Sequence, residues 1–166
     1  MPGFAKKTNR LTSFFIYVVF IIIAAGAGIK AVRYSKDLNF YYNYLLKWET
    51  ALTILSSKDL ALPRFTGINR MEYMDNLVKL MGKLSIKVPR SNTRHAYIYQ
   101  MFDKEFSKHR DVFLMCFEKK IILYGLSKTT FNMLDKNIDG KLGRNKGKFR
   151  GKFQKDKDCY AGIWEL

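Results

Sequence analysis

The sequence predicts an α+β protein, with one long N-terminal helix followed by a small domain built on an antiparallel sheet. Three observations carry this prediction. Leu11 to Ile29 reads LTSFFIYVVFIIIAAGAGI, nineteen residues without a charged side chain. Beyond it Leu38, Tyr41, Leu45, Trp48, Leu52 and Leu55 recur at steps of three and four, a helical stripe. Further on, VFLMCFEKKIILY at 112–124 sets two runs rich in Phe, Ile and Leu on either side of Glu118-Lys119-Lys120, as in a hairpin or a bent strand.

The elements follow in order. Residues 1–10 form a basic segment. Residues 11–29 match the roughly 20 apolar helical residues that a hydrocarbon core of about 30 Å requires. A secretory signal has an apolar stretch of only about 7 to 15 residues, so retention as a transmembrane helix is expected. Ala24 and Gly28, four residues apart, open one helix face to close approach by another helix. Lys6, Lys7 and Arg10 before the span nearly balance Lys30, Arg33 and Lys36 after it. The short N-terminus without acidic residues favours an inside N-terminus and an extracytoplasmic domain.

Residues 30–56 contain neither Pro nor Gly, so the helix is expected to continue as an amphipathic rod from 11 to 56, about 70 Å at 1.5 Å per residue. Residues 57–166 then make the soluble α+β domain. Ser56, Ser57 and Pro63 end the rod. Met71 to Leu84 reads as a second helix, Ala96 to Ser107 as a short third, and Ser127 as the N-cap of a helix to Leu134. Phe149, Phe153, Tyr160, Ile163 and Trp164 mark short closing strands.

Composition narrows the partners. Thirty Lys and Arg against 14 Asp and Glu give a net charge of +16, which favours anionic surfaces: lipid headgroups, nucleic acid or acidic proteins. The excess gathers late, with eight cations from Lys141 to Lys157. Arg144, Lys146, Lys148, Arg150 and Lys152 are the candidate anion contacts, with Phe149 and Phe153 among them for stacking on bases.

Asp135, Asn137 and Asp139 before Gly140 form D-x-N-x-D-G, the opening of a calcium loop, although Lys146 stands where a bidentate Glu is needed. A capped turn is the other reading. Ca²⁺ is the one cofactor suggested. Cys116 and Cys159 lack metal-site spacing, and in an oxidising compartment they are a disulfide candidate. The chain has no G-x-S-x-G, no phosphate-binding Gly loop and no H-E-x-x-H, and His95 and His109 sit among basic residues. No catalytic residue and no small-molecule substrate are indicated, and the expectation is a non-enzymatic protein.

The order of parts resembles type IV pilins and type II secretion pseudopilins. The carrying features are a basic start, one apolar span, a long amphipathic continuation, the loop ALPRFTGIN with Leu62-Pro63, and LDKNIDGKLGRNKGKFRG with Asp135 to Gly140 ahead of Cys159. The resemblance implies that the 11–56 rod is the family's N-terminal helix, that Cys159 is a C-terminal disulfide partner, and that function is assembly with lipid, other transmembrane helices or pilin-like subunits. The chain departs from the family at its start. Gly3-Phe4 is followed by Lys6 and Lys7, no acid lies between residues 1 and 36, and Arg64 follows Leu62-Pro63 where the family has Gly-Asp. The resemblance is thus to a divergent, unprocessed member. A basic accessory subunit of a membrane complex and a membrane-anchored nucleic-acid or anion-binding protein are the alternatives.

Overall fold

The computed structural model describes residues 3–58, 60–103, 108–143 and 146–166. Helical backbone runs from Gly3 to Ser56 as α1 (Gly3–Phe40), a π-helical turn (Tyr41–Leu45) and α2 (Leu46–Ser56). Among the described residues, one helix, Thr12–Ser56, is long and apolar enough to cross a membrane. The chain divides into two units, the first ending at Asn39 and the second beginning at Phe40. In the first unit the large apolar side chains stand in the open: Phe20 is 71% exposed and Ile23 64%.

The second unit is a five-stranded antiparallel sheet with helices on both faces. The strands are β1 (Ile98–Asp103), β2 (Lys108–Phe117), β3 (Lys120–Leu126), β4 (Phe149–Gln154) and β5 (Cys159–Glu165), in spatial order β1-β2-β3-β5-β4. Helix α3 (Arg70–Lys83) precedes the sheet in sequence, and α4 (Lys128–Asp139) links β3 to β4. The β2–β3 hairpin turns through Glu118 and Lys119, with Phe117 opposite Lys120 and Glu118 at φ 52°. A first turn residue with positive φ suits the right-handed twist of the strands it joins.

Alternation along the strands sorts side chains onto two faces. The first face carries the core. Tyr99 meets Phe40 and Tyr44 of the helical stripe at ring distances of 4.9 and 4.8 Å, and Trp164 meets Tyr41 at 6.3 Å. Phe131 of α4 stacks on Tyr160 at 5.0 Å and meets Phe149, tilted, at 5.1 Å. The helical stripe is wider than its heptad spacing suggests. Phe40, Tyr44 and Ala51 are buried along with Tyr41, Leu45, Trp48, Leu52 and Leu55, whereas Leu38 is only half-buried. On the second face α3 lies over β2 and β3. Phe117 packs on Phe65 and Tyr73, Arg70 caps the Tyr124 ring at 4.7 Å, and the Cys116 N–H reaches Met74 Sδ at 3.4 Å. The β4–β5 end of this face stays open, with Arg150, Lys152 and Ile163 exposed.

One element differs from expectation. Ala96 to Ser107 was expected as a helix, but Ile98–Asp103 is strand β1, paired with β2 from Ile98↔Phe113 to Asp103↔Lys108; residues 104–107 lie outside the described residues. The run YIYQMF is aromatic and β-branched, and a partner strand ten residues on supplies ladder bonds that outweigh a weak local helical preference. The helices expected after Pro63 and after Ser127 form as α3 and α4. The Ser127 hydroxyl caps α4 by accepting from the Thr130 N–H at 3.1 Å.

Close packing of α4 on the sheet rests on two cross-strand glycines, Gly151 and Gly162. A Cβ on Gly151 would lie 2.1 Å from Phe131 Cε2, and one on Gly162 2.5 Å from Phe149 Cζ. Gly151→Ala is expected to destabilise the protein by about 1–3 kcal/mol, the range for overpacked cores. Equilibrium denaturation measures this, and an unchanged midpoint would show that α4 does not sit on this strand.

Candidate functional site

Three surfaces contain the residues singled out from the sequence. The first is the apolar helix. Ala24 and Gly28 are exposed on α1, one helical turn apart, and no atom lies within 4 Å of where a Gly28 Cβ would stand. Residues four apart share a face, so the two present a narrow strip where a second helix can come close.

The second is the Asp/Gly segment at the end of α4. Asp135, Asn137 and Asp139 are all helical, with Gly140 in the left-handed conformation as the C-cap. In a helix, positions i and i+4 share a face and i+2 faces away, so the three side chains do not converge on one point. Each turns to the protein instead. Asp135 is fully buried; its Oδ2 accepts from the Gly143 N–H at 2.7 Å, and its Oδ1 has no hydrogen-bond partner. Asn137 Nδ2 donates back to the Met133 carbonyl at 2.7 Å. Asp139 accepts from the Lys148 N–H at 2.8 Å and the Phe149 N–H at 3.1 Å. Gly147, at φ 107°, comes so near that a Cβ would meet Asp139 Oδ2 at 2.3 Å. The segment is thus a clamp rather than an open loop: Asp135 holds the chain just after α4 at Gly143, and Asp139 holds the start of β4 against the end of α4. No group of three or more His, Cys, Asp or Glu is placed to hold a metal ion among the described residues.

The third is the basic stretch that this clamp positions. Lys146 and Lys148 are exposed on the approach to β4, and Arg150 and Lys152 stand on the open face of β4. Arg150 pairs with Glu165, which also lies 3.8 Å from Lys120. Arg144 lies outside the described residues.

Cys116 and Cys159 are both buried free thiols. Cys116 is level with Ile121, and Ile121 with Trp164, whereas Cys159 lies five residues before Trp164 on β5. Five strand residues span about 16 Å, and a disulfide needs Cα atoms within about 7 Å. The structure thus does not bring the candidate disulfide together.

Two arrangements carried no sequence signal. A shallow cleft of about 340 Å³ lies between α3 and the sheet, lined by Arg70, Asp111, Tyr124, Gln154, Lys157 and Cys159 among others. There Cys159 Sγ faces the Gln154 Oε1 at 3.6 Å, an amide rather than a base. Elsewhere the Tyr97 hydroxyl donates to Asp75 Oδ1 at 2.9 Å and lies 3.3 Å from His95 Nδ1, a clasp joining α3 to the residue before β1. Residues 22 positions apart in a chain reveal no such pairing before the fold is known.

No family model, curated protein or solved structure matches this chain.

Burial pushes the Cys116 thiol well above its ordinary range, and a thiol held protonated is a poor nucleophile. Cys116 is expected to resist an aromatic disulfide reagent in the native protein and to react once denaturant unfolds it. Fast labelling of Cys116 in native protein would contradict its position. The Tyr97 phenol is pushed up to about 12, first by burial and then by its hydrogen bond to Asp75 and that carboxylate's charge. A phenol that titrates higher when folded stabilises the protein fully below its ordinary value of 10 and loses that contribution as pH rises toward 12. The melting temperature is expected to fall between pH 10 and 12, with a shallower fall in Tyr97→Phe. Equal slopes would remove Tyr97 from the titration.

Proposed function

We propose that this chain is a single-span membrane protein of the pilin and pseudopilin kind, acting by assembly rather than catalysis. Its apolar helix packs beside other transmembrane helices, and its sheet domain projects on the extracytoplasmic side. The observation that supports this most is the helix around Phe14 to Ile23, whose large apolar side chains are exposed all round. In water such a surface is costly at about 25 cal/mol per Å², and lipid removes the cost. The helical stripe from Phe40 to Leu55 then ties a five-stranded antiparallel sheet to the same continuous helix, the architecture that the family resemblance implies. With no acid between residues 1 and 36 to pair with a neighbour's N-terminus, the small-residue strip at Ala24 and Gly28 is the contact left to bring helices together.

Disulfide crosslinking in intact membranes tests this. Ala24→Cys is expected to form covalent dimers under mild oxidation, and Ile22→Cys, on the opposite side of the helix, to form few. Extraction of the protein by alkaline carbonate, or equal crosslinking from both positions, would overturn the reading.

A further inference from the structure

The two edges of the sheet are treated differently. At the β1 edge, the outward backbone groups of Ile98 and Gln100 are taken up by the chain itself. The Ile98 carbonyl accepts from the hydroxyls of Ser91 and Thr93, the latter at 2.7 Å, and the Ile98 N–H donates to the His95 carbonyl at 3.1 Å. Asn92 does for Gln100 what a paired strand would do. Its Oδ1 accepts from the Gln100 N–H at 2.8 Å and its Nδ2 donates to the Gln100 carbonyl at 2.7 Å. A strand approaching β1 there finds its bonding groups already used.

At the β4 edge, hydrogen bonds among the described residues cover only the start of the strand. The Glu165 N–H donates to the Lys148 carbonyl at 2.9 Å, and Arg150↔Ile163 and Lys152↔Ala161 follow in register. Antiparallel alternation therefore points the backbone groups of Arg150 and Lys152 at β5 and those of Phe149, Gly151 and Phe153 away from the sheet. Asp139 takes the Phe149 N–H. No hydrogen bond among the described residues takes up the outward groups of Gly151 and Phe153. Around them stand the exposed cations Lys152 and Lys155, with Arg150 on the same open face and Phe153 40% exposed beside the edge.

We propose that β4 is a docking edge for an extended acidic segment of another polypeptide, which adds a strand to the sheet. Main-chain bonds form at Gly151 and Phe153, the cations meet alternate carboxylates, and the Phe153 ring is the apolar anchor. A second copy of β4 does not fit. Antiparallel self-pairing would set Arg150 and Lys152 beside the same cations of the copy, and like charges across a strand pair repel. Charge thus selects the partner while the covered β1 edge selects the side. This holds whether or not the N-terminal helix lies in a membrane.

The test uses the full-length chain in detergent micelles and a fluorescein-labelled octapeptide of alternating Glu and Val, with a Lys–Val octapeptide and an oligothymidine as comparisons. The Glu–Val peptide is expected to bind and the Lys–Val peptide not to. Amide exchange at Gly151 and Phe153, followed by NMR, is expected to slow at least tenfold on binding. Lys152→Glu with Lys155→Glu should weaken binding at least tenfold. Phe153→Pro removes an outward donor but no ladder bond, and should abolish protection while circular dichroism stays unchanged; if that variant fails to fold, the charge-reversed one decides. Exchange at Gly151 and Phe153 that the peptide leaves unaltered, equal binding of the Lys–Val peptide, or tighter binding of the oligothymidine would each overturn the proposal.

Discussion

The fold depends on how the stripe from Phe40 to Leu55 is buried. Phe40, Leu45 and Trp48 have no exposed surface, and Phe40 and Tyr44 both pack, tilted, against the Tyr99 ring of the edge strand β1. A five-stranded sheet with one bare apolar face would not persist in water. The stripe covers that face at β1 and near Trp164, and α4 covers it at β4 and β5. The Tyr44 hydroxyl adds direction by donating to the Ala96 carbonyl at 2.8 Å, at the point where the chain enters β1. Apolar burial supplies most of the stabilisation, and this bond sets where along the helix the sheet attaches.

A π-helical turn lies within this stripe, at Tyr41–Leu45. Such turns are rare and shift the side chains that follow around the axis. Here the turn coincides with three tyrosines, and two of them, Tyr41 and Tyr44, reach opposite parts of the sheet: Trp164 on β5 and Tyr99 on β1. An ideal α-helix concentrates its apolar side chains in one stripe. Loosening one turn widens the contact, which accounts for a buried face broader than the heptad positions.

What was legible in the sequence was whatever depends on local chemistry. The apolar run, the helical stripe and the Ser127 cap each follow from periodicity or from one residue's preference, whereas the two apolar runs around Glu118-Lys119 fit a hairpin or a bent strand equally until their register is known. Strand β1 was not legible, because its aromatic residues fit either a helix or a strand until β2 is present to pair with. The cysteines were likewise ambiguous, since only the register of three strands shows Cys116 and Cys159 at different levels. The glycines of the basic segment read as loop punctuation, yet Gly151 lies within a strand and its missing side chain is the seat of Phe131. Its meaning lies in a contact 20 residues away.

The D-x-N-x-D-G run shows how one set of residues serves different ends in different company. Oxygen donors at alternate positions surround a cation only in an open loop, where the backbone folds all of them inward. Here Phe131 and Leu134 are fully buried and draw the run into the last turns of an amphipathic helix. Helical geometry then separates Asn137 from the two acids. The carboxylates, denied a shared cation, accept from backbone N–H groups instead, as at a helix cap. Asp139 takes two such donors at the start of β4, among lysines whose charges would repel Ca²⁺. Asp139 thus fixes the strand and Asp135 the loop before it, and the basic residues Lys146, Lys148, Arg150 and Lys152 are left to face outward.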